Sequence, residues 1–234
     1  MILEVEGLEA GYGPATVLHG LDLTVSEGEG VVVLGPNGHG KSTLLRAISG
    51  ILTPTAGTLR FTGQEITAWR ADEIATAGLV HIPQGDALFG EMTVHDNLLM
   101  GSFVKAAWEQ RHERIERVYE LLPQLKSRYN LLASNLSGGE RRMLAIGRGL
   151  MADAKLLMID EPSLGLAPLL IEQVYEQIQA IKESGLAILL ADENADHISG
   201  LADRVFLLES GLFVREGPAE ALLADEALLA AYLG

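Results

Sequence analysis

The sequence predicts an α/β fold with a mixed sheet, an antiparallel β-subdomain at the N-terminal end and an inserted helical subdomain. Three observations predict it. The runs Val31–Leu34, Leu156–Ile159 and Ala187–Leu190 are unbrokenly apolar, as strands covered on both faces are. The first two are each followed by apolar residues at helical spacing, the order that gives parallel strands with crossover helices. From about Thr93 to Met151 the chain turns rich in Glu, Arg, Gln and Leu and has no buried strand run.

Taken in order, Ile2–Val5 and Val17–Val25 alternate apolar and polar residues, which predicts half-buried antiparallel strands. Val31–Leu34 leads into Leu44, Leu45 and Ile48, with Gly50 as the C-terminal stop. The insertion follows. Leu156–Ile159 leads into the stripe Leu170, Val174, Ile178 and Ile181, ending near Gly185. Arg204–Leu208 and Leu212–Arg215 form a hairpin around Glu209-Ser210-Gly211, and a short Ala/Leu helix comes after it. The chain reads as one unit, with residues 1–83 and 152–234 forming the β and α/β core and residues 84–151 the insertion.

Composition narrows the function. The 234 residues suffice for a core without staples. With 17 basic and 32 acidic residues the net charge is −15, which disfavours nucleic acid and anionic lipid as partners. Cysteine is absent, excluding disulfides, zinc thiolates, iron–sulfur clusters and a thiol nucleophile, and fitting a reducing compartment. Residues Met1 to Glu9 carry acids and no long apolar run, so no secretory signal is expected. No apolar run approaches the roughly 20 residues of a membrane helix.

Gly35-Pro36-Asn37-Gly38-His39-Gly40-Lys41-Ser42 fits G-x-x-x-x-G-K-[ST] between a buried strand and a helix, the context of a P-loop NTPase core. Glycines let the backbone wrap phosphate oxygens with its N–H groups turned inward, and the helix N-terminus adds positive dipole character. Lys41 brings a charge to the β and γ phosphates, the Ser42 hydroxyl is placed for Mg2+, and Thr43 adds a donor. His39 reads as a solvent-facing side chain at a variable position. Asp160 and Glu161 end an apolar strand where open α/β sheets bind ligands. Asp160 suits Mg2+, held through water, and Glu161 suits a base for the water attacking the γ phosphate.

Leu136-Ser137-Gly138-Gly139-Glu140 opens a helix twenty positions before Asp160. Ser137 is an N-cap and the two glycines expose N–H groups, a second anion site on the same chain. Met143, Gly147, Leu150 and Met151 form the buried stripe of that helix, and Gly147 and Gly149 suggest close packing. This segment resembles the signature motif of ATP-binding cassette (ABC) ATPases. The resemblance implies ATP held in a head-to-tail dimer, between the phosphate loop of one chain and Ser137, Gly138, Gly139 and Glu140 of the other. It also implies that Gln84 is the glutamine touching Mg2+ and the attacking water, that Tyr12 stacks on adenine, and that Ser163–Leu166 crosses the dimer.

The finer resemblance is to ATPase subunits of branched-chain amino-acid importers. It is carried by Met92–Leu98, Met143–Arg148, Glu161–Pro168 and Ala231-Tyr232-Leu233-Gly234. Subunits for urea or other amides are similar. It implies a cytoplasmic subunit, peripheral on the inner face of the cell membrane, pressing on transmembrane permease subunits through the insertion and Leu88–Thr93. The chain would pair with itself or a sister ATPase, serve a solute-binding protein indirectly, and bind no nucleic acid. Ribosome- or DNA-directed ABC ATPases and a non-hydrolysing regulator are the alternative classes.

Two departures stand out. Glu193 occupies the position where most ABC ATPases carry a histidine against the γ phosphate and the branched-chain type often has glutamine. A carboxylate there meets like charge, so this chain's own site is expected to turn over slowly, with a histidine-bearing sister supplying a faster one. His197 lies one helical turn late and reads as a surface residue. Arg141 and Arg142 stand where the family usually has glutamines and read as solvated helix charges.

Overall fold

The structure is a computed structural model that describes residues 1–225 and Tyr232. The predicted Ala231–Gly234 match lies outside the described residues apart from Tyr232. In chain order the elements are β1 (Leu3–Tyr12), β2 (Ala15–Val25), β3 (Gly30–Leu34), α1 (Lys41–Ile48), β4 (Ala56–Phe61), β5 (Gln64–Glu65), α2 (Ala71–Thr76) and β6 (Leu79–Ile82). The insertion holds α3 (Val94–Gly101), α4 (Lys105–Glu109), α5 (Arg111–Leu121), α6 (Pro123–Ser127) and α7 (Gly138–Leu150). Then come β7 (Leu156–Asp160), α8 (Pro168–Glu183), β8 (Ala187–Asp192), β9 (Arg204–Glu209), β10 (Leu212–Pro218) and α9 (Ala219–Leu223).

Two sheets result. An antiparallel one runs β2-β1-β4-β5, and a mixed one runs β10-β9-β3-β8-β7-β6. Among the described residues, only β10 in the mixed sheet is antiparallel to its neighbour. The unbroken apolar runs are explained by its two covered faces. Val32, Leu34, Leu157, Ile159, Ile188 and Leu190 pack with the insertion and α8, while Val31, Val33, Leu156, Met158 and Leu189 pack with α1 and the antiparallel sheet. Alternate residues of one strand thus serve two cores.

Sequence and structure differ in instructive places. β1 extends to Tyr12, beyond the alternation read at Ile2–Val5, because register shifts between Val5 and Leu8 and between Ala10 and Gly11 break the period while keeping Leu8 and Ala10 buried. The helix α7 is buried on most of its girth rather than on a stripe. Arg142 through Gly147 are all buried, whereas Leu150, expected in the stripe, is only half-buried. Close packing at its glycines is real. A Cβ on Gly147 would come within 3.0 Å of Leu98, and one on Gly149 within 3.2 Å of Ile82 and Leu157. Gly101 of α3 approaches closer still, with a Cβ position 2.0 Å from the Arg148 carbonyl oxygen.

Arg142 corrects an expectation. It is not a solvated charge but 3% exposed, its guanidinium turned under the helix toward Asp86 and the backbone of Glu161. Arg141 does stay exposed. His39 is likewise not simply solvent-facing. It is half-buried, and its Nδ1 accepts a hydrogen bond from the Ser210 N–H at 3.2 Å, while the Gly211 N–H donates to its carbonyl.

Candidate active site

The phosphate loop joins β3 to α1 and its glycines are obligatory at two points. A Cβ on Gly35 would lie 2.3 Å from the Leu208 carbonyl oxygen, and Gly40 holds φ +109 with Leu18 only 2.9 Å from where a Cβ would sit. Lys41 folds back beneath the loop. Its ammonium donates to the carbonyls of Gly35 at 2.7 Å and Pro36 at 3.1 Å, and lies 3.2 Å from Glu161 Oε1. Both partners of this ion pair are almost fully buried.

Glu161 follows β7 in the left-handed region, φ +43. That conformation strains a residue with a Cβ and turns the chain sharply off the strand end, where the carboxylate meets Lys41. Its Oε2 accepts from Gln84 Nε2 at 2.8 Å. Asp160 Oδ1 accepts from the Ser42 hydroxyl at 3.1 Å. Burial pushes the Asp160 carboxyl up; the Ser42 hydrogen bond opposes that, and the Glu161 charge adds to it. Asn37, Gly38, Gly40, Lys41, Ser42, Thr43, Gln84 and Glu161 line one cavity of about 210 Å³. Residues 35 to 161 in sequence, read as separate motifs, thus converge on one pocket.

At the lip of that pocket, Glu193 Oε2 accepts from Asn37 Nδ2 at 2.5 Å, so the atypical glutamate engages the phosphate loop itself. Tyr12, at the end of β1, is exposed and its hydroxyl accepts from Arg46 Nη1 at 3.1 Å. Burial is the largest single influence on its phenol and raises it, but the hydrogen bonds with Thr43 and Arg46 and the Arg46 charge together outweigh this and hold it below the usual range.

The Ser137 turn lies elsewhere. Ser137 caps α7, its hydroxyl accepting from the Glu140 N–H at 3.3 Å while Glu140 Oε2 accepts from the Ser137 N–H at 2.9 Å. The backbone hydrogen bond from Ser137 leads the causes that hold the Glu140 carboxyl low, with Arg128 adding to it. Among the described residues no hydrogen bond or ion pair ties Ser137 to Glu140 to the phosphate loop. Gly138 instead borders a second cavity of about 510 Å³ with Gln84, Asp86, Arg142, Leu164 and Leu166.

The sequence reading missed two groups, Asp192 and Asp86, and misread a third, Arg142. Asp192, fully buried at the end of β8, accepts from the Tyr175 hydroxyl and from the N–H groups of Glu193 and Asn194, with burial pushing its carboxyl up. Its place beside Glu193 at a strand end was the available signal. Asp86 and Arg142 carried none beyond an arginine in place of glutamine.

A family model described as ABC transporter matches residues 18–164. The chain belongs to the ABC transporter family. This cassette is 39% identical over 233 residues to the high-affinity branched-chain amino acid transport ATP-binding protein BraG of Pseudomonas aeruginosa, all of both chains being covered. It is 34% identical to a probable branched-chain amino acid transport ATP-binding protein LivF of Archaeoglobus fulgidus, over 96% of this chain and 95% of that one. Among solved structures, an ABC transporter cassette in its ADP conformation superposes with a TM-score of 0.87 at 28% identity, covering 100% of this chain and 98% of that one. A nucleotide-free cassette gives 0.86 at 27% identity, covering 100% and 99%. The cassette is therefore a nucleotide-binding ATPase of a kind that associates with transmembrane permease components. No helix among its described residues is long and apolar enough to cross a membrane.

Proposed function

We propose that this cassette hydrolyses ATP to energise a membrane importer of branched-chain amino acids, lying on the cytoplasmic face against its permease. The carrying observation is the convergence of Lys41 and Gln84 on the Glu161 carboxylate at the phosphate loop, at 3.2 Å and 2.8 Å. Full-length kinship to two branched-chain transport subunits supports the solute class. In this resting arrangement Lys41 is satisfied by Glu161. An arriving γ phosphate takes the ammonium, and Glu161 is released to accept the proton of the attacking water, with Gln84 holding that water's orientation. Asn37 to Thr43 cradle the phosphates, and Tyr12 lies against the adenine once Arg46 yields it.

The donor set fits Mg2+. The Ser42 hydroxyl and the Asp160 carboxylate already meet at 3.1 Å, and with the Gln84 amide oxygen they offer the hard oxygen ligands this ion prefers. Bound there, Mg2+ would neutralise charge building on the β and γ phosphate oxygens. Ser137, Gly138, Gly139 and Glu140 face a second cassette, whose ATP they close over; the copy is either this chain or a sister. The permease fits a groove of about 300 Å³ walled by Phe89, Met100 and Phe103, all exposed, with Arg148 at its side.

The test is co-purification of the full chain with a multispan membrane protein, together with ATP turnover that disappears in Glu161→Gln. A chain that purifies with no membrane partner, or turnover that survives the substitution, refutes the reading.

A further inference from the structure

Arg142 is the buried charge that the ATP site leaves unexplained. Its side chain is 4% exposed. Nε lies 3.3 Å from Asp86 Oδ1, and Nη2 donates to the Glu161 carbonyl at 3.4 Å. Yet Nε, Nη1 and Asp86 Oδ1 are buried without a hydrogen bond to any described residue. Charge attraction is in place while hydrogen-bond geometry is not. A buried guanidinium–carboxylate pair left in that state is costly, and a small shift to the bidentate arrangement would relieve it.

Asp86 sits two residues after Gln84 in a segment strained at two successive positions, φ +60 at Asp86 and +46 at Ala87. The helix α7 grips this segment a second time: Arg148 donates to the Ala87 carbonyl at 2.8 Å and to the Asp86 carbonyl at 3.3 Å. Arg141 adds only an exposed contact, 3.8 Å from Asp86 Oδ2. One side chain therefore touches the Gln84 segment at one end and the backbone of Glu161 at the other.

We propose that Arg142 is a positioning residue that couples the Gln84 segment to Glu161. When Asp86 closes onto the guanidinium, the guanidinium carries the Glu161 carbonyl with it, and the carboxylate is re-aimed from Lys41 toward the reacting phosphate. When Asp86 withdraws, Glu161 returns to Lys41. The proposal rests on Glu161 acting as the base, and it adds the route by which strain at the groove side of the insertion reaches that base.

The experiment measures steady-state MgATP hydrolysis of the assembled complex, and thermal melting of the full chain, for Arg142→Gln, Arg142→Lys and the double variant Asp86→Asn with Arg142→Gln. Misplacing the base lowers kcat by about tenfold to a hundredfold, with KM for MgATP held within about twofold because the phosphate cradle is untouched. The double variant replaces the ion pair by neutral partners and is expected to melt like the parent while kcat stays low. Arg142→Lys keeps the charge opposite Asp86 but loses the Nη2 donor, so it too is expected to fold and to turn over slowly. Parental kcat in either folded variant, or kcat that recovers in step with melting temperature in the double variant, overturns the proposal. Turnover that persists in Glu161→Gln overturns the base assignment instead, separately from Arg142.

Discussion

Replacing Glu161 by glutamine removes the negative partner of a buried ammonium 3.2 Å away, with both side chains nearly inaccessible. Breaking such a pair by deleting one partner costs about 3–5 kcal/mol. Lys41 keeps the Gly35 and Pro36 carbonyls, so the lower end, about 3 kcal/mol, applies to the nucleotide-free variant. For a chain of 234 residues that corresponds to a melting temperature lower by about 6–12 °C. A non-hydrolysable ATP analogue supplies the missing negative charge, so the deficit should shrink when it is bound. By linkage the variant must then bind the analogue more tightly, by at least about tenfold, which is about 1.4 kcal/mol. Calorimetry of the free and analogue-loaded proteins, with a titration of the analogue, checks both halves. A variant that melts with the parent when free and binds the analogue with parental affinity refutes the idea that Lys41 is held in reserve by Glu161.

Three further outcomes are expected. Glu193→Gln removes an exposed negative charge hydrogen-bonded to Asn37, and turnover in the assembled complex should rise by a few-fold, within the roughly 1 kcal/mol an exposed charge commands; an unchanged rate leaves Glu193 out of the cycle. Gly101→Ala drives a methyl to 2.0 Å from the Arg148 carbonyl oxygen, forcing α3 off α7, with a loss of about 3 kcal/mol or more measurable by urea unfolding. His81, held at a pKa of about 4 by burial and by the Arg46 charge, resists protonation in the folded chain while the unfolded chain takes a proton below about 6.5. Stability is therefore lost as pH falls from about 6.5 to 4, by about 3 kcal/mol from this residue alone; the difference between parent and His81→Asn in pH-dependent urea melts reads it directly.

What the sequence made legible follows physical regularity. The strands β3, β7 and β8 and the helix after each of the first two were visible because full burial leaves no polar residue to interrupt the run. The phosphate loop and the carboxylates at the end of β7 were visible because phosphate binding restricts residue types at fixed spacing. β4, α2 and β6 were not. β6 is Leu79-Val80-His81-Ile82, and its histidine hides a parallel strand unless one knows that Ser49 Oγ meets Nδ1 at 3.1 Å. Arg142 misled for the same reason: charge on a helix reads as solvent-facing until a distant segment, here Asp86, is shown to come beneath it. Glu193 was legible as an anomaly, but its contact with Asn37 joins residues that only the sheet brings together.

The hairpin turn at Ser210 and Gly211 gives the cradle a dependence on late sequence. It holds His39 by two hydrogen bonds, its Gly211 carbonyl accepts from the His19 N–H of β2, and Leu208 walls Gly35. A fragment trimmed at residue 164, where the family match ends, would keep every glycine of the motif yet forfeit the scaffold that shapes it. Grafting or splitting schemes that treat residues 35–43 as a portable module should thus fail unless the far hairpin is supplied, covalently or in complementation.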